Sequence, residues 1–159
     1  MICKLKTSEF LSAVEVIQNS FSTVAEEMGI TKENCPRYIG FTVSGERLQA
    51  QYDMGWEMFG LYNEDRLIGY VSLSNEGNGV YEIHNLSVLN DMRHKGYGRQ
   101  LLDFCIEKVD QLGGEKIILS IIEDNTRLKE WYQGYGFIHT GTKKYDHLIF
   151  TSGYLEIKV

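Results

Sequence analysis

The stretch that decides the fold reads Glu82-Ile-His-Asn-Leu-Ser-Val-Leu-Asn-Asp-Met-Arg-His-Lys-Gly-Tyr-Gly-Arg-Gln-Leu-Leu102. A strand over 80–89 runs into Arg93-His94-Lys95-Gly96-Tyr97-Gly98 and straight on into a helix. Two glycines at that junction let the backbone approach a ligand closely. The first turn of the helix adds unpaired N–H groups at the positive end of its dipole. Such a place holds anions, and a diphosphate is the natural occupant. Arg93, His94, Lys95 and Arg99 gather positive charge there, in a chain that is acidic overall.

Outward from this junction, the helix over 97–112 puts Leu101, Leu102, Cys105, Val109 and Leu112 on one face, and Gly113-Gly114 stops it. Lys116–Ile122 is an apolar, β-branched run of the kind buried on both faces of a sheet. A helix over 125–133 and strands over 137–142 and 147–158 close the chain. Upstream, 56–61 and 67–73 form a hairpin about Asn63-Glu-Asp, and a turn over 75–79 leads into the decisive strand. A short strand at 2–6 precedes a helix over 8–28 whose stripe is Phe10, Leu11, Val14, Ile17, Phe21, Val24 and Met28, with a break expected near Ser20-Phe-Ser22. A loop or short helix spans 29–38, and Ser44 caps a short helix ending at Asp53. The order describes a mixed-sheet α/β domain.

Composition bounds the reading. At 159 residues, 43% hydrophobic and 24% charged, residues 1–159 make one domain with a core of its own. Disorder is excluded. No apolar run approaches the roughly 20 residues that span a bilayer. The Met1-Ile-Cys-Lys-Leu-Lys start lacks the apolar stretch of a signal peptide, so a cytoplasmic location is expected. Cys3, Cys35 and Cys105 are too few and too scattered for a disulfide framework or a zinc site. Sixteen basic against 22 acidic residues, net −6, argue against nucleic acid and suit cationic partners.

Two phosphate motifs fail here. No G-x-x-x-x-G-K-[ST] string occurs, and Gly96-Tyr-Gly98-Arg-Gln-Leu lacks the third glycine of a dinucleotide fingerprint. What stands is R-x-x-G-x-G after a strand ending Leu-x-Val, and it resembles the acetyl-CoA signature of the GNAT N-acetyltransferase superfamily. The downstream Asn125-Thr-Arg-Leu-Lys-Glu-Trp-Tyr132-Gln-Gly-Tyr-Gly136-Phe137 is similar to the family's segment with a pantetheine-holding Asn, a Tyr and a Gly-Phe end. The resemblance implies a mixed, mostly antiparallel sheet of six or seven strands flanked by about four helices and splayed after the strand that ends at Val88. Acetyl-CoA would be the cofactor, and a primary amine of a small molecule or peptide the acceptor. Homodimerisation through the C-terminal strands is common in such folds.

By the same resemblance, Leu86, Ser87 and Val88 would present backbone to the pantetheine and the acetyl carbonyl. The pyrophosphate would rest on the loop from Arg93 through His94, Lys95, Gly96, Tyr97 and Gly98 to Arg99. Asn125 would hold the pantetheine arm, and Tyr132 would act as general acid toward the departing thiolate. Seven residues apart, Asn125 and Tyr132 would lie on one helix face. Glu82 and His84 are the candidates to accept the amine proton; two apart on a strand, they would share a face with Leu86. The strand after that carries Ser120 where one family branch keeps a glutamate. Cys105 lies on the packed helix face, which disfavours a covalent intermediate. The rival from another class is a catalytically silent CoA-binding sensor or interaction module. A binder of other nucleotides is the third reading.

Overall fold

Strand β1 (Ile2–Lys4) leads into helix α1 (Phe10–Met28) in the computed structural model, which describes residues 1–159. Helix α1 buries Phe10, Ala13, Val14, Val16, Ile17, Ser20 and Ala25. It ends where Gly29 turns left-handed at φ 67° and the Ile30 N–H donates to the Ala25 carbonyl at 2.8 Å. The expected break near Ser20 does not occur. The Ser22 and Thr23 hydroxyls donate to the Asn19 and Ser20 carbonyls inside the helix, so these side chains do not compete with it. A single turn, α2 (Ile39–Thr42), follows the loop and was not expected. Helix α3 (Gly45–Asp53) is capped as anticipated, with Ser44 Oγ accepting from the Arg47 N–H at 3.1 Å.

Strands β2 (Glu57–Asn63), β3 (Arg66–Gly77) and β4 (Val80–Val88) form two successive hairpins. The second closes on Asn78-Gly79, at φ 52° and 75°, which is the two-residue turn this dipeptide favours. The turn expected over 75–79 is therefore shorter, and β3 continues through the polar residues Ser74, Asn75 and Glu76. Helix α4 (Tyr97–Gln111), β5 (Lys116–Ile122), α5 (Thr126–Tyr135), β6 (Ile138–Lys144) and β7 (Thr151–Lys158) complete the chain. The last strand begins at Thr151 rather than at residue 147.

All seven strands form one sheet in the order β1-β2-β3-β4-β5-β7-β6, antiparallel except for the β4/β5 pair. One face is covered by α1 and α3 through Leu5, Ile17, Leu48, Met58 and Tyr70. The other is covered by α4 and α5 through Leu101, Leu102, Ile117, Tyr132 and Leu155. Truncating a fully buried anchor such as Ile17 or Leu101 to Ala would cost about 2–5 kcal/mol. No helix is long and apolar enough to cross a membrane. The five helices and seven strands match the expected mixed, mostly antiparallel architecture.

The parallel pair is short. Val80, Tyr81 and Glu82 lie opposite Lys116, Ile117 and Ile118, and beyond them the two strands diverge. The β5-facing edge of β4 from Ile83 to Val88 thus has no strand opposite, so the sheet opens into a wedge there. Strand β5 was expected to be buried on both faces. Ile117, Leu119, Ile121 and Ile122 are buried, but Ile118 is only half-buried and Ser120 is exposed.

Candidate active site

A bulge shapes the wedge. Ser72 pairs with His84 and Tyr70 with Ser87, so one residue of β3, Val71, opposes two of β4, Asn85 and Leu86, and Asn85 absorbs the surplus at φ 52°. This resets the alternation. His84 and Ser87 share the face of Tyr70 and Ser72, beneath α1, whereas Leu86 and Val88 join Ile83 on the core face under α4. The expectation that Leu86 shares a face with Glu82 and His84 is corrected by that extra residue. Ser87 is buried, its hydroxyl donating to the Asn85 carbonyl at 2.8 Å.

Past the wedge, the loop turns left-handed at His94 (φ 61°) and Gly96 (φ 83°) before α4 begins. The backbone N–H groups of His94, Lys95, Gly96, Tyr97, Gly98 and Arg99 donate to no acceptor in the protein; the first helical bond is from Gln100 to the Gly96 carbonyl, 3.0 Å. Successive free donors converging at a helix N-terminus make an anion nest. The side chains of His94, Lys95 and Arg99 are exposed beside it. Arg93 differs from expectation: its guanidinium donates to Thr23 Oγ1 and the Ser20 carbonyl, both at 2.8 Å, and to Ser20 Oγ at 3.2 Å. It ties the loop to α1 instead of facing the nest with its charge. A groove of about 260 Å³ lies beside Arg99, lined by Glu130, Trp131, Gly134 and Tyr135.

Helix α5 brings the other expected residues. Asn125 is its N-cap, not its first turn: Oδ1 accepts from the Leu128 N–H at 3.3 Å, which leaves Nδ2 without a protein partner. Tyr132 lies edge-on to Phe137 with ring centroids 5.4 Å apart, and burial pushes its phenol well above the ordinary value. Its hydroxyl makes no hydrogen bond within the protein. It is not among the sealed, unpartnered polar atoms either, which belong to Gln51, Glu57 and Tyr70, so it keeps access to solvent. Burial also pushes the Cys105 thiol up to about 12.

On the opposite face of the sheet, Glu82 and His84 approach within 3.8 Å (Oε2 to Nε2), each about a quarter exposed. Burial raises the Glu82 carboxyl, helped by the neighbouring charge of Glu76. Burial lowers His84 to about 4, opposed by Glu76, so the imidazole is neutral at physiological pH. Trp56 stacks on the imidazole at 4.1 Å and 18°. Across the wedge, Ser120 is paired with Tyr154, whose hydroxyl lies 2.5 Å from that of Tyr145. Burial, that hydrogen bond and the negative charge of Glu82 push the Tyr154 phenol up to about 12.

The family model described as "Acetyltransferase (GNAT) family" matches residues 27–137, which hold the bulged strand, the nest and Tyr132. The chain belongs to the GNAT acetyltransferase family. Solved structures give the same fold for this GNAT chain. The PaiA N-acetyltransferase of Thermoplasma acidophilum, in complex with coenzyme A, superposes with a TM-score of 0.84 at 21% identity, over 100% of this chain and 98% of that one. The ribosomal-protein-S18-alanine N-acetyltransferase of Escherichia coli gives 0.79 at 15%, over 99% and 92%. YncA of Salmonella typhimurium, a putative acetyltransferase with its cofactor acetyl-CoA, gives 0.73 at 16%, also over 99% and 92%.

In this GNAT protein the structure brings residues 94–99 together at the nest and Glu82 with His84 beneath α1. Asn125 and Tyr132 are set on α5, and the open wedge separates the two faces. Sequence reasoning missed Ser74 and Glu76 beside His84, and the Tyr145–Tyr154 pair. The expected hairpin end at Leu73 had placed Ser74 and Glu76 at or beside a turn. Only the Asn78-Gly79 dipeptide hinted that β3 runs on to bring them opposite β4.

Proposed function

We propose that the protein transfers the acetyl group of acetyl-CoA to a primary amine of a small molecule or peptide, by direct attack in a ternary complex. The observation that carries this reading is the run of six free N–H donors, from His94 to Arg99, set beside a strand edge that no other strand covers. A pyrophosphate suits the donors. A pantetheine arm suits the open edge, because its amides can take the place of the missing strand. Coenzyme A or acetyl-CoA accompanies two of the structural relatives named above.

Each residue then has a task. The backbone of Leu86, Ser87 and Val88 lines the wedge and offers donors to the acetyl carbonyl, where charge develops as the amine attacks. Asn125 Nδ2, left unpartnered by the cap, reaches for the arm. Tyr132 stays protonated at any working pH and donates to the sulfur as the C–S bond breaks. Glu82 and His84 receive the amine proton from the other face. Donor and acceptor reach the wedge from opposite sides of the sheet, which fits direct transfer. The one thiol near α5 is buried and held protonated, so it is no nucleophile.

Calorimetric titration of the full chain with acetyl-CoA, beside ATP and a Gly98→Asp variant, tests the reading. Asp in the first turn suits a helix but repels phosphate from the nest. Micromolar acetyl-CoA binding that ATP does not share and the variant loses is expected, followed by thiol release with a primary amine. Absence of binding refutes the proposal. Tight binding with no transfer to any amine leaves the sensor reading instead.

A further inference from the structure

The surroundings of His84 define its tautomer. Ser74 Oγ lies 2.8 Å from His84 Nε2 and also donates to Glu76 Oε1. A serine hydroxyl has one proton, and here a carboxylate takes it. The oxygen therefore accepts from Nε2, and the Nε2 proton stays on the ring. The Glu82 carboxylate, 3.8 Å from the same nitrogen, favours the same arrangement. A neutral imidazole protonated at Nε2 has its lone pair at Nδ1. That atom has no protein partner and is not sealed from solvent. Trp56 stacked on the ring holds its plane.

Resting on the acetyltransferase reading, we infer that Glu76 and Ser74 form a relay that fixes His84 with Nδ1 open as the proton acceptor for the attacking amine. As the amine nitrogen bonds to the acetyl carbon, its N–H bond breaks and a bond to Nδ1 forms. The Nε2 proton passes to Ser74, whose own proton passes to the Glu76 carboxylate at the exposed end of β3 and on to water. One proton enters and one leaves, and after product release the Nδ1 proton goes to solvent while Glu76 and Ser74 return one to Nε2, which restores the starting tautomer. The imidazole is neutral before the step, as its depressed value requires, and no lasting imidazolium is needed in a half-buried site. The titratable groups around His84 are Glu76 from β3 and Glu82 from β4, with Tyr154 of β7 beside Glu82. Glu76 and Ser74 are positioning residues, and His84 is the group that touches substrate.

Two measurements test this. Ring ¹H–¹⁵N correlation spectra of the labelled full chain, with His84→Gln to identify the signals, should show His84 as a single Nε2–H tautomer at neutral pH. Ser74→Ala and Glu76→Ala should each turn it into a mixture. An Nδ1–H tautomer in the natural chain, or no change in Ser74→Ala, overturns the relay. In thiol-release assays with n-butylamine and an alanine-led hexapeptide, Glu76→Ala should lower kcat on the order of tenfold, with the acetyl-CoA KM unchanged, and Glu76→Asp should restore part of it. A natural chain active on either amine, with kcat and pH profile unmoved in Glu76→Ala, refutes the relay alone. A natural chain that binds acetyl-CoA but acetylates neither amine refutes the function on which the relay rests.

Discussion

Replacing Gly96 by Ala isolates what the nest contributes to binding. Gly96 sits at φ 83°, and a Cβ built there meets nothing within 4 Å, so the substitution adds backbone strain without a clash. Holding an L-residue left-handed costs about 1–2 kcal/mol. The N–H groups from His94 to Arg99 have no protein acceptors, so in relaxing to negative φ the free loop puts at stake only the first helical bond, from the Gln100 N–H to the Gly96 carbonyl. The strain therefore falls mainly on the complex rather than on the fold. Acetyl-CoA binding should weaken about 5- to 30-fold, the equivalent of that energy, while Tm moves by no more than about 2 °C. Gly96→Asn, which tolerates this conformation, should recover much of the loss. Calorimetric titration beside thermal melts reads both quantities. An Ala variant with natural affinity would refute the reasoning, because the nest would not then need the left-handed turn.

Tyr132→Phe should lower kcat by ten- to a hundredfold with acetyl-CoA affinity intact, since the hydroxyl makes no bond in the free protein; pre-steady-state thiol release checks it. Arg93→Ala removes three hydrogen bonds to α1 and should cost about 2 kcal/mol in urea unfolding, with less effect on acetyl-CoA binding than Gly96→Ala. For His84, the folded value near 4 lies below the ordinary 6.5, so the unfolded chain binds more protons between those pH values. Stability must fall as pH drops through that window, and His84→Gln should flatten the fall.

The nest was legible because its geometry follows from local sequence. Two glycines, a preceding strand and a following amphipathic helix specify the loop without knowledge of its neighbours. The alternation of β4 was not, since a bulge is decided by the partner strand. Nothing in Asn85 alone announces the extra residue that turns Leu86 to the core. Ser74 and Glu76 read as turn residues on propensity, and only pairing with Glu82 and its neighbours makes them strand. Asn125 and Arg93 were found by motif, but the use each side chain makes of its atoms depended on contacts. The half-buried His139, 2.9 Å from Glu123, which Lys129 also pairs, depends likewise on contacts between elements.

The short parallel pair between β4 and β5 also has a mechanical meaning. Seven residue pairs join β5 to β7, but only three stitch the panel β1–β4 to the panel β5–β7–β6. Strand β1 forms one edge of the first panel, and the chain ends in the second, so tension applied at the two termini pulls across this seam. The β1/β2 edge is joined by three residue pairs as well, so this seam and that edge are the two weak lines in the path. A cofactor lodged in the wedge would bridge both panels like a rivet, raising the rupture force along that one line while leaving each panel as stiff as before.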